Sequence, residues 1–277
     1  MPDSSMWPAD YQSAAVFTFD LDADEIWNLR IEGDEEWDKP PVKTRGNFGP
    51  NVAVPRIIEL FDRYDLNCTF FIPGKVAEDW PETVQKIHDA GHEIGLHGYR
   101  HVNPANSTRE EEEADVKRSL DIFDDLVGTT PVGYRSPAAD LSNNTLEILA
   151  EQGVQYESSF LDNDVPYFHD LGDDRLLEIP FEWSLDDWPF FGFHMYPQLS
   201  YQSGISSTGP VFDSWEREFD ALHKRGRCFM LTMHPQLIGR AGRMDALEEL
   251  LQRVLQTGDT WVTTGEDLAT HWYERHG

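Results

Sequence analysis

Two histidines that could bind a metal, His97 and His101, lie four positions apart after a short apolar segment at residues 94–96. Imidazole is the most common protein ligand of borderline metals, and two imidazoles on one short segment can supply two corners of a metal site. A third ligand must come from elsewhere. Asp20 and Asp22 are the candidates, because they end an apolar run and point to the same side of an extended backbone.

These residue types predict hydrolysis at a metal. Two neutral imidazoles and one carboxylate leave positions for water and substrate, which favours a catalytic site over a closed structural one. The metal lowers the pKa of a bound water and polarises a carbonyl, and the second carboxylate can accept the water's proton. Arg135 beside that carboxylate would keep it ionised, and His234 can protonate a departing amine. The expected activity is hydrolysis of amide-type C–N bonds.

The elements that must position these residues alternate between strand and helix. Apolar runs predict strands at residues 14–19, 67–72, 92–97, 132–135, 154–156, 175–181, 228–233 and 261–264. Helical spacing or capping residues predict helices at 52–64, 81–90, 107–126, 144–152, 212–224, 244–255 and from residue 266 onward. This alternation favours one α/β domain over residues 1–277, with a parallel sheet closed or nearly closed into a barrel and an open doubly wound sheet as the alternative. No glycine-rich nucleotide-binding motif is present in the sequence.

The polar residues of interest follow predicted strands. In parallel α/β folds, working side chains gather where the strands end. Each position alone has a structural explanation, but their shared location at one rim favours a common site. The residues at these ends are Asp20, Asp22, His97, Arg135, Asp186, Asp187, Trp188 and His234. His92 begins its strand instead, and is predicted to be structural.

Residues 23–50 are rich in charge, Gly and Pro, and predict a long loop. Long loops inside compact domains usually have a function. Trp27, Trp37 and Phe48 favour a flap over the site, and the alternative is a loop that its tryptophans pin to the surface.

The chain of 277 residues carries a formal net charge of −29, spread along its length. Such a charge repels nucleic acid and anionic membrane surfaces, so neither is an expected partner.

We expect this acidic surface to be adapted to high salt, where self-repulsion between carboxylates is screened. Dialysis into low-salt buffer should therefore unfold the protein, as followed by circular dichroism. Full stability in dilute buffer would contradict this adaptation.

Cys68 and Cys228 lie in apolar strand-like runs, which predicts buried thiols in a reducing compartment. The sequence begins without a secretion-signal pattern, and no run approaches the roughly 18 apolar residues that cross a bilayer, so a cytoplasmic protein is the expectation.

The sequence does not decide whether the protein forms a homo-oligomer, because several aromatic and histidine residues could line either a pocket or an interface. These residues are His194, Tyr196, Tyr201 and Trp215.

Five motifs occur in a characteristic order, at residues 18–22 (TFDLD), 97–101 (HGYRH), 133–137 (GYRSP), 186–188 (DDW) and 231–235 (LTMHP). From about Phe17 to His271 the chain resembles the polysaccharide deacetylases with the chitooligosaccharide-deacetylase homology domain. The resemblance implies a distorted (β/α) barrel of about seven strands. It also implies that Asp22, His97 and His101 bind one divalent metal, usually zinc, and that Asp20 is the catalytic base.

Further roles follow from the same resemblance. Arg135 would tether Asp20, one of Asp186 and Asp187 would support that arginine, and His234 would be the general acid. Trp188 would line the substrate pocket. Further pocket residues are expected at Trp27, Phe48, Asp186 and Arg240.

Several positions depart from the common family pattern. Leu21 separates the two aspartates, Gly98 follows the first histidine, and Ser136 follows the arginine. These variations resemble an intracellular branch that includes peptidoglycan-deacetylase-like proteins and hydrolases of allantoin and cyclic imides. The expected reaction is attack of metal-bound water on an amide such as an N-acetyl group. The alternatives are hydrolysis of a small cyclic imide or ureide, and a non-catalytic protein that binds a glycan or metabolite.

Overall fold

The computed structural model of the protein describes residues 6–172, 174–195, 198–199 and 202–277. One sheet runs through these residues, and its strands are parallel except for β6, which is antiparallel to β7. The strands are β1 (Ser13–Asp20), β2 (Thr69–Ile72), β3 (Glu93–Leu96), β4 (Gly133–Tyr134), β5 (Tyr156–Glu157), β6 (Tyr167–Phe168), β7 (Leu177–Glu178), β8 (Cys228–Met233) and β9 (Thr260–Thr263).

Helices connect most of the strands. They are α1 (Glu25–Gly33), α2 (Pro40–Lys43), α3 (Val54–Asp62), α4 (Gly74–Asp79), α5 (Pro81–Asp89), α6 (Arg109–Val127), α7 (Thr145–Glu151), α8 (Trp188–Phe191), α9 (Thr208–Arg225), α10 (Pro235–Ile238), α11 (Ala241–Gln256) and α12 (Gly265–His276). Single 3₁₀ turns occur at Glu35–Trp37, Pro104–Asn106, Pro137–Ala139 and Trp183–Leu185, and a π-helical turn at Gly49–Ala53. Within the described ranges, no helix is both long and apolar enough to span a bilayer.

The sheet curls into the distorted barrel that the sequence predicted. Its strand order is β6-β7-β5-β4-β3-β2-β1-β8, and β9 pairs with the first half of β1 while β2 pairs with the second half. A parallel bridge between Asp186 and Thr232 then joins the segment after β7 to β8. The fold prediction is therefore confirmed. The additional strand is β6, whose two residues are too short to give a sequence pattern.

Strand β1 shows how the barrel places polar groups at its end. Phe17 and Phe19 pack in the larger apolar cluster, whereas Ala14 and Val16 belong to a second cluster. Both faces of the strand are buried, which explains its continuous apolar sequence. Alternation then places Asp20 on the same face as Ala14 and Val16, at the carboxyl end of the strand.

The helix predicted at residues 107–126 is α6, which opens with the acidic run at residues 110–113. Thr108 forms a capping box with Glu111, in which each side chain bonds the other residue's backbone N–H. The carboxylates of this first turn are favoured by the helix dipole. Cys68 and Cys228 are buried free thiols, also as predicted.

Residues 23–50 are not the irregular loop that the sequence predicted. They form α1, a 3₁₀ turn and α2, and lead into the π-helical turn. A separate apolar cluster of Ile26, Trp27, Trp37, Val42 and Leu199 holds this segment. The helices escaped prediction because packing against distant residues stabilises them, and local apolar spacing does not mark them.

Candidate active site

One end of the barrel brings together the residues that the sequence placed at strand ends. Asp20 ends β1, His97 follows β3, Arg135 follows β4 and His234 follows β8. All four line a cavity of about 680 Å³. The barrel thus turns sequence-distant polar residues into neighbours.

Asp22 faces both histidines of the 97–101 motif. Its Oδ1 lies 3.6 Å from Nε2 of His97 and 3.5 Å from Nε2 of His101. Asp22 is fully buried, and this oxygen has no hydrogen-bond partner among the described residues. A buried carboxylate oxygen without a hydrogen-bond donor is costly, and a cation shared with two imidazole nitrogens would satisfy it. The three side chains therefore fit a metal ion.

Both histidines favour the neutral form, which is the form that binds a metal. His97 Nδ1 donates to the backbone oxygen of Arg135 at 2.8 Å, which leaves the Nε2 lone pair directed at Asp22. Burial lowers the pKa of His97 below its ordinary value, and lowers that of His101 to about 3. The turn between the histidines requires left-handed backbone at Gly98 (φ 68°) and at His101 (φ 53°). Glycine adopts this conformation at little cost, which accounts for Gly98 at this position.

Asp20 lies beside the triad formed by Asp22, His97 and His101, and its carboxyl group is ionised. Burial by itself raises the pKa of this carboxyl, but Arg135, together with smaller contributions from His97 and His234, outweighs burial and holds the pKa below its ordinary value. Arg135 Nη1 donates to Oδ1 of Asp20 at 2.9 Å. The other oxygen, Oδ2, lies 3.9 Å from Nε2 of His97. Asp20 therefore directs an ionised oxygen toward the same place as the triad.

Arg135 is held rigidly by groups that the sequence analysis did not identify. Its guanidinium donates to Thr18 Oγ1 at 2.7 Å, to the Ser158 backbone oxygen at 3.2 Å and to Ser158 Oγ at 3.1 Å. It also stacks over Phe71 at 4.3 Å. Thr18 could have been found, since it precedes Asp20 by two positions on the same strand face. Ser158 follows a strand of only two residues and gave no comparable signal.

The expected support of Arg135 by Asp186 or Asp187 differs from the contacts observed. Asp187 Oδ1 lies 2.7 Å from Nδ1 of His234, and both its oxygens accept the His234 backbone N–H at 3.1 Å. Asp186 accepts the Trp188 backbone N–H at 2.6 Å and lies 3.7 Å from His234 Nδ1. Asp186 itself bridges to Thr232 of β8 and Asp187 follows it, so both carboxylates meet the histidine at the end of β8.

His234 has an environment that favours its protonated form. Burial lowers the pKa of its imidazole, but the carboxylates of Asp186, Asp187 and Asp22 together raise it well above the ordinary value. The ring packs edge-on against Trp188, with centroids 5.0 Å apart.

Gln236, two positions after His234, donates to Oδ2 of Asp22 at 3.3 Å. This link between α10 and the triad was not predicted.

The cavity wall includes two of the predicted pocket residues, Trp188 and Asp186. Trp27 lies outside the lining and stacks on Trp188 at 6.1 Å. Phe48 and Arg240 are also outside it, with the guanidinium 3.6 Å from the ring centroid of Phe48. Phe48 and Arg240 therefore contact each other and do not form the pocket surface.

Helix α1 supplies one wall of the cavity through Ile26, Leu29 and Arg30. The expected contribution of residues 23–50 to the site is thus made by a helix. His194 is buried against Trp27, with ring centroids 4.2 Å apart, and Trp215 lies in the core. Tyr196 and Tyr201 lie outside the described residues.

Comparisons with known proteins find similarity to polysaccharide deacetylases in both sequence and structure. The polysaccharide deacetylase family matches residues 46–157. The chain is 33% identical to a peptidoglycan deacetylase of Helicobacter pylori, over 91% of this chain and 93% of that protein. It is similar to the crystal structure of a putative polysaccharide deacetylase from Mycobacterium smegmatis, with a TM-score of 0.91, 33% identity and coverage of 99% and 95% of the two chains. An allantoinase structure is 24% identical with a TM-score of 0.85, covering 100% of this chain and 95% of its own, a likeness that concerns the fold.

Proposed function

The chain belongs to the polysaccharide deacetylase family, and from this premise we propose that it removes an acyl group, such as acetyl, from a substrate nitrogen by metal-dependent hydrolysis. The observation that carries the proposal is the partnerless oxygen of Asp22, which faces two histidines beside the ionised Asp20. Strands from β1 to β8 contribute to this single site, so we treat residues 1–277 as one catalytic domain.

The proposed metal ligands are Asp22, His97 and His101, and the proposed metal is zinc. One carboxylate and two imidazoles suit a borderline divalent ion, and three protein ligands leave room for substrate. A divalent ion held there would polarise the substrate carbonyl and lower the pKa of the attacking water. His97 is fixed for this role by its bond to the Arg135 backbone oxygen, and Asp22 by its bond from Gln236.

The two proton transfers are assigned to opposite walls of the site. Asp20 accepts the proton of the attacking water at Oδ2, because Arg135 occupies Oδ1. His234 donates a proton from Nε2 to the departing nitrogen, because Asp187 occupies Nδ1. Asp20 therefore gains one proton and His234 loses one, so the two transfers balance within the site. Trp188 shields His234 from bulk water on one side.

An N-acetylated sugar is the substrate that we propose first. The similarity to a peptidoglycan deacetylase covers nearly the whole chain. A small cyclic ureide or imide is the second candidate, favoured by the wall that α1 builds along the cavity. A cavity of about 680 Å³ has the size of a small-molecule site.

A substrate panel separates these functions. The purified protein is loaded with zinc, its metal content is measured, and it is assayed with N-acetylglucosamine oligomers, allantoin and cyclic imides. Acetate release from the sugars would support the first candidate, and ring opening alone would favour the second. No turnover with zinc bound would overturn the proposal and favour a binding protein.

Replacing Asp187 by Asn is expected to lower kcat about 10²-fold with KM unchanged, because it removes the carboxylate that orients the His234 ring and one of the three negative charges that raise the pKa of His234. Steady-state kinetics measure both constants. Asp186→Asn is the matched control, because that carboxylate is further from Nδ1 and should cost less. A rise in KM with unchanged kcat would argue that Asp187 binds substrate and does not position the acid.

A further inference from the structure

A second cluster of metal-binding side chains, Glu157, His169 and Glu178, lies outside the catalytic cavity. Each residue offers one ligand atom, and the three atoms lie within 4.8 Å of one another. Glu157 and Glu178 are register partners on the parallel strands β5 and β7. None of the three residues lines the cavity described above.

Strand geometry places this cluster on the outer side of the barrel. The preceding register partners, Tyr156 and Leu177, pack with Val16 in the second apolar cluster. Side chains alternate along a strand, so Glu157 and Glu178 point to the opposite face. His169 directly follows β6, in which Tyr167 is the register partner of Glu178, so alternation places His169 on the same face as Glu178.

The two carboxyl groups are fully buried, and neither pairs with a Lys or Arg among the described ion pairs. Glu178 accepts backbone N–H bonds from Ser159 at 3.3 Å and Phe160 at 3.1 Å, and its other oxygen lies 3.2 Å from Nε2 of His169. Glu157 is different, since neither of its oxygens meets a partner with hydrogen-bond geometry in the described chain, although Glu178 and Ser159 lie beside it. Burial, with the neighbouring Glu178, raises the pKa of Glu157 well above its ordinary value. Burial lowers the pKa of His169, so its imidazole favours the neutral form and adds no charge.

Two agents could neutralise this pair. A proton shared between the carboxyls is one, and burial does raise the pKa of Glu178 to about 7. One shared proton would engage one oxygen of Glu157, and the Ser159 hydroxyl, which does not meet hydrogen-bond geometry in the described chain, is the remaining neighbour that could serve the other oxygen. A divalent cation can engage both carboxylates together with the imidazole nitrogen of His169.

We propose that Glu157, His169 and Glu178 form a second divalent-cation site, which stabilises the structure and takes zinc or a similar borderline metal. A cation there would tie together β5, β7 and the residue after β6. Glu157 also directly precedes Ser158, which holds the guanidinium of Arg135. The second site would thus stabilise the segment that anchors the catalytic arginine.

Zinc stoichiometry tests this proposal. The full chain is stripped with a chelator, dialysed against Zn²⁺, and analysed for zinc per chain by mass spectrometry. We expect two ions in the wild type, one in Glu157→Gln, one in His97→Ala and none in the double variant. Loss of one ion in Glu157→Gln but not in His97→Ala would support the second site and contradict the catalytic ligand assignment.

A second variant guards against misfolding. His169→Ala removes a partly exposed side chain and should also leave one ion, whereas the control His88→Ala should leave two. Zinc should raise the Tm of His97→Ala, and this rise should vanish when Glu157→Gln is added. One ion in the wild type, unchanged by Glu157→Gln and His169→Ala, would overturn the proposal.

Discussion

Asp20→Asn is expected to lower kcat/KM about 10³-fold while the zinc content stays unchanged. Asparagine keeps the shape of the side chain, but its amide cannot accept the proton of the attacking water. We expect a large effect because a chain of hydrogen bonds fixes the position of the Asp20 carboxylate. Arg135 holds one oxygen of Asp20, and Thr18 and Ser158 hold Arg135.

The measurement pairs steady-state kinetics with metal analysis of the same preparation. Asp121→Asn, on the exposed side of α6, removes one negative charge outside the cavity lining and should behave as wild type. If Asp20→Asn instead lost its zinc, Asp20 would be a ligand. Activity near the wild-type level would eliminate it as the base.

His97→Ala is expected to remove both the metal and measurable turnover. Losing an outer partner of a metal ligand costs roughly 10- to 100-fold in affinity, and losing one of three ligands should cost more. His97 also spans the site, because Nδ1 bonds the Arg135 backbone while Nε2 faces Asp22. Zinc titration of the stripped protein and acetate release report the two losses separately.

His92→Gln is the matched control for this experiment. His92 is also buried, directly precedes the same strand, and has its pKa lowered to about 4 by burial. Its ring packs near Phe61 and Phe70, away from the catalytic cavity. The variant should lose stability but keep catalytic zinc and turnover. Retained metal and activity in His97→Ala would refute the ligand assignment.

Much of the barrel was predictable from local sequence patterns. The β1 run ending at Asp20 and the β8 run ending at His234 are continuous and apolar, because both faces of each strand are buried. Capping chemistry is equally local, so the helix predicted from residue 107 begins at Arg109 with Thr108 as its N-cap. The site inherits this predictability, since parallel strands bring their carboxyl ends to one rim.

The pairings within the site were less predictable. The sequence predicted that Asp186 or Asp187 would support Arg135, whereas in the structure Asp187 is hydrogen-bonded to His234. Phe48 and Arg240 were expected in the pocket and stack on each other. These outcomes depend on how loops after different strands approach one another, which side-chain spacing along a single strand does not encode.

The sequence by itself determined which chemical groups reach the rim, because strand alternation and the carboxyl-end rule are local consequences of backbone geometry. Only the tertiary structure decided which groups touch. It folded residues 23–50 into a helical wall, gave His234 its carboxylate partner, and buried Glu157 beside Glu178 on the outer face. Such contacts join residues far apart in the chain, and they are selected by packing of the whole barrel.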